Sequence, residues 1–99
     1  MSDNSLRVVA RIQAKPDKVA AVRAAVIGLV EPTRAEDGCR VYELLQNDKD
    51  PTDFTFVEEW ESQAALDRHA ASEHIKATRE QLRDIIEAPP DIRTYDLVA

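Results

Sequence analysis

The residues best suited to proton chemistry in this 99-residue chain crowd into one window, FTFVEEWESQAALDRHAASEH, from Phe54 to His74. Both histidines, His69 and His74, lie there, within 14 residues of Trp60, the chain's one tryptophan. Imidazole is the side chain that takes up a phenol or enol proton near neutral pH. Glu58 shares a strand face with Trp60, and a carboxylate turned into a pocket must be paired or raised in pKa. Such a carboxylate can orient His69 as an acid–imidazole pair; a salt bridge to an arginine is the competing reading. Trp60 otherwise reads as a large core residue closing a strand–helix corner. His69 also reads as a core histidine satisfied by Glu58 or a carbonyl, and His74 as a structural or capping residue. Five-residue spacing on a continuous helix sets the histidines about 140° apart, unable to share a metal ion. A break at Ser72 would bring them together, but two ligands without a third make no dedicated site, so no metal is expected.

The elements that must position these groups follow from periodicity. Leu6 to Ala14 alternates as a half-buried strand. Pro16 fits the first turn of a helix running to about Arg34, with Val19, Val22, Val26 and Leu29 as its apolar stripe. Pro32 predicts a kink in that helix, and Asp37-Gly38 its stop. Cys39 to Gln46 is the second strand, NDKDPTD (47–53) a turn, and Phe54 to Glu61 the third strand. Ser62 caps a helix carrying His69, and Ser72 caps a further one through Ile85 and Ile86 that ends before Pro89-Pro90. Ile92 to Val98 is the last strand, and residues 1–5 are expected to fray. The order β-α-β-β-α-β is the split βαβ pattern of an α+β ferredoxin-like fold with one antiparallel sheet. Helices cover one face. The other should carry Val9, Tyr42, Leu44, Val57, Tyr95 and Leu97, or the opposite set. A sheet apolar on both faces needs a second subunit, so a C2 homodimer is expected.

Composition sets the outer limits. Ninety-nine residues suit a single domain, residues 1–99. A net charge of −6 with scattered Arg and Lys argues against nucleic acid. Cys39 stands alone, which suits a reducing cytoplasm, and beside Gly38 it reads as a small buried hydrophobe. There is no signal-peptide pattern and no apolar run long enough to cross a bilayer. A soluble cytoplasmic protein is expected.

With GCRVYELLQNDKDPTDF (38–54), EEW (58–60) and AALDRHAASEH (64–74) in this order, the chain resembles the antibiotic biosynthesis monooxygenase domains from Val8 to Tyr95. That resemblance implies a dimeric α+β barrel with a pocket between sheet and helices. Relatives include cofactor-independent oxygenases of polycyclic phenols, quinol monooxygenases, haem-degrading enzymes and isomerases of phosphorylated sugars, so fold alone does not choose the chemistry. By resemblance, Trp60 packs on an aromatic substrate and donates to its ketone oxygen. His69 and His74 match histidines of the quinol monooxygenases and the isomerases. The phenol oxygenases hold an asparagine where this chain has Phe56. Their tyrosine on the adjacent strand falls nearest Leu44, with Tyr42 two positions away. Both departures count against an identical reaction. The first strand offers no asparagine, which counts against haem.

The leading expectation is a cofactor-free monooxygenase acting on a quinol or phenol with O₂. His69 is its base, Glu58 the group that orients it and Trp60 the ring partner; Tyr42, Leu44, Phe56, His74 and Tyr95 contact substrate. Strand parity leaves open whether Tyr42 and Tyr95 meet the pocket or the dimer interface. The alternatives are an isomerase of a small metabolite, marked by a phosphate-binding Arg or Lys in the pocket, and a binding module whose pocket is filled by Phe56, Trp60 and Tyr42.

Overall fold

The computed structural model describes residues 5–99, and the alternating stretch near their start forms the strand around which the sheet is built. β1 (Leu6–Gln13) buries Val8, Ala10 and Ile12 and leaves Arg11 and Gln13 to solvent. It is followed by α1 (Val19–Ile27) and α2 (Val30–Arg34), then by the hairpin of β2 (Cys39–Gln46) and β3 (Asp53–Trp60). Helices α3 (Gln63–Ala70) and α4 (Glu73–Leu82) lead to β4 (Asp91–Tyr95). The strands lie in the order β2-β3-β1-β4, every neighbouring pair antiparallel. This is the α+β ferredoxin-like fold, with each helical crossover broken into two helices.

Local hydrogen bonding explains where the boundaries differ from the periodicity. Lys15 to Lys18 close a turn (Lys18 N–H to the Lys15 carbonyl, 2.9 Å), so α1 starts at Val19 and not at Pro16. The break in the first helical segment falls at Gly28-Leu29, and Pro32 is accommodated near the start of α2, where a missing N–H costs nothing. Helix α4 ends at Leu82 because the following backbone pairs with the end of β1. Lys15 N–H donates to the Ile85 carbonyl (3.0 Å), Glu87 N–H donates to the Gln13 carbonyl (2.9 Å), and Ala14 bridges Ile86. The last strand spans Asp91–Tyr95 and does not reach Val98. Of the polar lead, residues 1–4 lie outside the described residues, and Ser5 is buried.

Pairing sorts the side chains between the two faces. The covered face carries Val8, Ala10 and Ile12 with Phe54, Phe56, Glu58 and Trp60, and Val22, Val26 and Leu29 pack on it. Tyr42 lies opposite Glu58 and Leu44 opposite Phe56, so both belong to this helix-covered face. Tyr95 pairs with Arg7, and Val9 with Val57, on the other face. The expected set of Val9, Tyr42, Leu44, Val57 and Tyr95 is therefore split between faces. Alternation within one strand cannot tell which of its faces matches which face of the next; cross-strand register decides that, here with an irregularity between Cys39 and Val41.

Gly38 makes the stop after α2 possible. Its φ of 84° is in the left-handed region, and a Cβ there would stand 2.5 Å from the Ala65 Cβ. Its carbonyl accepts the Glu61 N–H at 2.8 Å, tying the start of β2 to the end of β3.

Candidate active site

Two serine caps set the geometry of the histidines. Ser62 accepts the Ala65 N–H at 3.2 Å and starts α3; Ser72 accepts the Ile75 N–H at 3.3 Å and starts α4. The Ser72 hydroxyl also donates to the His69 carbonyl at 2.7 Å, which fixes the turn between the helices just beyond that histidine. The break removes the 140° separation of a continuous helix, and the two imidazole centroids lie 6.1 Å apart.

Glu36 joins them. It follows α2, its N–H donating to the Thr33 carbonyl at 3.0 Å. One carboxylate oxygen, Oε2, lies 2.7 Å from His69 Nδ1 and 2.8 Å from His74 Nε2. A carboxylate oxygen accepts, so both ring nitrogens are assigned as N–H donors. In neutral His69 the proton on Nδ1 leaves Nε2 with its lone pair, and Nε2 has no hydrogen-bond partner among the described residues. Glu36, at a sequence distance of 33 from His69, thus holds the place that sequence reasoning gave to Glu58. It also supplies the third donor whose absence had argued against a metal site.

Glu58 is engaged elsewhere. The Trp60 indole N–H donates to Glu58 Oε1 at 2.8 Å, both residues being buried on the same face of β3. Trp60 is fully buried beneath His69, ring centroids 4.6 Å apart, and is not on the cavity wall. With its N–H committed to Glu58, it is not placed to donate to a substrate oxygen. Tyr42 stacks on Phe56 at 4.8 Å and meets His69 edge-on at 5.7 Å.

Between sheet and helices lies a cavity of about 320 Å³. Its floor is apolar apart from Glu58, with Val8, Ala10 and Phe56 from the central strands and Tyr42 beside them. Leu66, His69, Ile75 and Leu82 close it from the helices, and Gln63, Asp67 and Arg79 bring polar groups to it. Of the residues expected at a site, His69, Glu58, Tyr42 and Phe56 therefore converge on one cavity. Leu44 packs against the core, His74 stands behind Glu36, and Tyr95 lies on the opposite sheet face; none of these three lines the cavity.

The cavity's low polarity tunes its ionisable groups. Burial, reinforced by Glu36 and partly offset by the Trp60 N–H, pushes the Glu58 carboxyl up to about 7. Burial lowers the His69 pKa against the opposing pull of Glu36, which favours the neutral imidazole a base requires. Burial, reinforced by Glu58, holds the Tyr42 phenol well above its ordinary value and keeps it protonated.

The raised Glu58 value has a measurable consequence for stability. The folded chain takes up a proton between the ordinary value of 4.5 and about 7, so stability falls across that interval and stays lower above it. The share of this one group is on the order of 3 kcal/mol. Glu58→Gln keeps an oxygen acceptor for Trp60 without the charge. Denaturant melts should find this variant more stable than the parent at pH 8 and about equal to it at pH 4.5. His69 adds the opposite slope, losing stability as pH falls, but does so in both proteins and drops out of the comparison.

Comparison with known proteins agrees with this architecture. The antibiotic biosynthesis monooxygenase family model matches residues 5–81. The Mycobacterium tuberculosis protein Rv0793, provisionally named a monooxygenase, is 38% identical over 82 residues, covering 83% of this chain and 80% of that protein. Its solved structure superposes with a TM-score of 0.89 over 96% of each chain at 32% identity. Pseudomonas aeruginosa PA3566 superposes with a TM-score of 0.91 at 31% identity, covering 97% of this chain and 96% of that one. Bacillus subtilis YcnE, also provisionally named a monooxygenase, is 28% identical over 88 residues, covering 89% of this chain and 93% of that protein. No helix among the described residues is long and apolar enough to cross a membrane.

Proposed function

This chain belongs to the antibiotic biosynthesis monooxygenase family, and we propose that it oxidises a phenol or quinol of one to three rings with O₂, using no cofactor. The observation that carries the reading is His69 on the wall of an apolar cavity, with Nδ1 against Glu36 and Nε2 without a hydrogen-bond partner among the described residues; burial favours the neutral ring. The aromatic pair Tyr42–Phe56 offers a flat apolar surface for the substrate ring. His69 Nε2 takes the substrate hydroxyl proton, and the electron-rich phenolate passes one electron to O₂. The radical pair collapses to a carbon–oxygen bond at a ring carbon bearing hydrogen. Loss of that ring proton and cleavage of the O–O bond, with two protons supplied to the departing oxygen, release water. The sum is phenol plus O₂ giving quinone plus water. Glu58, poised near neutrality, is suited to supplying one of those protons.

The test is oxygen uptake over a panel of naphthols, anthrols and benzoquinols, with quinone absorbance followed in parallel. One O₂ consumed per quinone formed is the expected result; turnover that continues unchanged under argon would discard the oxygenase reading. One observation favours the isomerase reading instead. Arg79 reaches the cavity and has no ion pair among the described residues, so an anionic substituent would find a partner there. Oxygen-independent turnover lost in Arg79→Ala would select that alternative. Against the non-catalytic binding module, expected to have its pocket filled by Phe56, Trp60 and Tyr42, the aromatic side chains leave the cavity unfilled.

We also infer a homodimer formed through the uncovered sheet face. Val41, Leu45 and Tyr95 are exposed there beside half-buried Val9 and Val57, and no helix among the described residues packs on them. Light scattering is expected to give the mass of two chains. Val57→Asp, which places a charge in the centre of that face, should shift it toward one.

A further inference from the structure

The meeting of two imidazoles on one carboxylate oxygen has a second use. His69 Nδ1 and His74 Nε2 approach Glu36 Oε2 from different helices, and the carboxylate comes from the segment after α2. The three donor atoms all lie within 4.8 Å of one another. Their side chains are shielded, at 8%, 24% and 15% exposure for His69, His74 and Glu36. We propose that Glu36, His69 and His74 form a binding site for a first-row divalent transition ion such as Zn²⁺, whose occupation removes the base on the cavity wall. The second half of this proposal rests on the role given to His69 above; the first does not.

Two nitrogens and one carboxylate oxygen suit Zn²⁺, Co²⁺ or Ni²⁺, whereas Mg²⁺ and Ca²⁺ demand oxygen ligands. A tetrahedral ion sits about 2.0–2.1 Å from each donor, with donors roughly 3.4 Å apart. Glu36 Oε2, at 2.7 and 2.8 Å from the two nitrogens, therefore has to draw back slightly as its carboxylate turns toward the ion, and the two nitrogens, within 4.8 Å of each other, have to close by about an ångström. His74, the most exposed of the three and next to the start of α4, is the side chain free to make that movement. His69 is already fixed, by Trp60 beneath it and Tyr42 at its edge. Glu36 is held on both sides, by its own N–H on Thr33 and by the Cys39 N–H on its carbonyl at 3.2 Å. Three protein ligands leave one tetrahedral position for water.

The effect on the base follows from tautomerism. An ion can bind Nδ1 of His69 only through its lone pair. The single proton of the neutral ring must then sit on Nε2, the nitrogen that the proposed reaction needs as acceptor. Ligand and base are exclusive roles for this imidazole. The ion would sit on the Nδ1 side of the ring, with Glu36 and His74, neither of which lines the cavity. It would stop turnover without taking the substrate's place.

Chelator-stripped protein titrated with ZnCl₂ by calorimetry, and with CoCl₂ by visible absorption, tests the site without any substrate. The expected result is one ion per chain, with cobalt ligand-field bands and no response to MgCl₂. The affinity should fall at least tenfold in both Glu36→Gln and His74→Ala, with circular dichroism confirming that each folds. Absence of zinc binding, or undiminished affinity in both variants, overturns the site. In the wild type, zinc should suppress quinol turnover over the range in which it binds, and a chelator should restore it. Zinc bound at the triad with turnover intact overturns the inactivation and faults His69 as the base, while the binding site stands.

Discussion

Replacing His69 with alanine is expected to lower kcat on a phenolic substrate by roughly 10²- to 10⁴-fold, the usual worth of a positioned general base. Of the cavity's other ionisable groups, Glu58 is given the opposite task, that of supplying a proton. Tyr42 is held in its protonated form, and Glu58 already accepts the Trp60 N–H. His69→Gln serves as the control for packing, since it keeps a polar side chain above Trp60 without a group that titrates near neutrality. It should fold as the parent does and be about as inactive as alanine. Glu36→Gln should fall between the parent and these two variants, with kcat reduced by about tenfold and KM little changed. An amide can still meet His69 Nδ1, but it no longer dictates which nitrogen carries the proton. Wild-type turnover in His69→Ala would refute the base; an effect of Glu36→Gln confined to KM would refute its positioning role.

The second large effect is on stability. Trp60→Ala should cost about 3–5 kcal/mol in denaturant melts, because it empties a fully buried site shared by Tyr42 and His69. It also strips Glu58 of its hydrogen-bond donor. Trp60→Phe separates the two losses. It retains most of the volume, and the absence of the indole N–H should raise the Glu58 pKa beyond about 7, since that N–H is the interaction that lowers it. Above neutral pH this variant pays for an ionised carboxylate with no donor, so its deficit should widen from pH 5 to pH 8. A deficit independent of pH would mean that Trp60 acts through packing alone.

How legible this was differs by level. The strand alternation of β1 and β3, the turn residues 47–52 and the two serine caps are local patterns, and they appear within a residue or two of where the sequence placed them. The ends of α1 and α4 were less legible. Pro16 and Ile85 carry helix-compatible signals, but Lys15 and Ile85 spend their backbone groups on each other.

The window from Phe54 to His74 supplies much of the cavity's lining, yet its internal wiring was not readable. His69 and Glu58 were named from their residue types, and both line the cavity. The expected pairing between them does not form, because Trp60, two residues along the same strand face, takes the Glu58 carboxylate, and Glu36 takes the histidine. Glu36 carried no signal of its own: it is one acidic residue among 19 Asp and Glu, set just before a turn.

What the sequence determined by itself is the set of elements, their order and the chemistry available, since periodicity, caps and residue types are local properties of the chain. Tertiary structure decided which of those groups meet. It placed Tyr42 on the covered face and Tyr95 on the other through strand register, brought His74 round to His69 through the break at Ser72, and delivered Glu36 to both. The strand register and the Glu36 contacts join segments far apart in the chain, and no local pattern encodes their geometry; the approach of His74 to His69 follows instead from the local cap at Ser72.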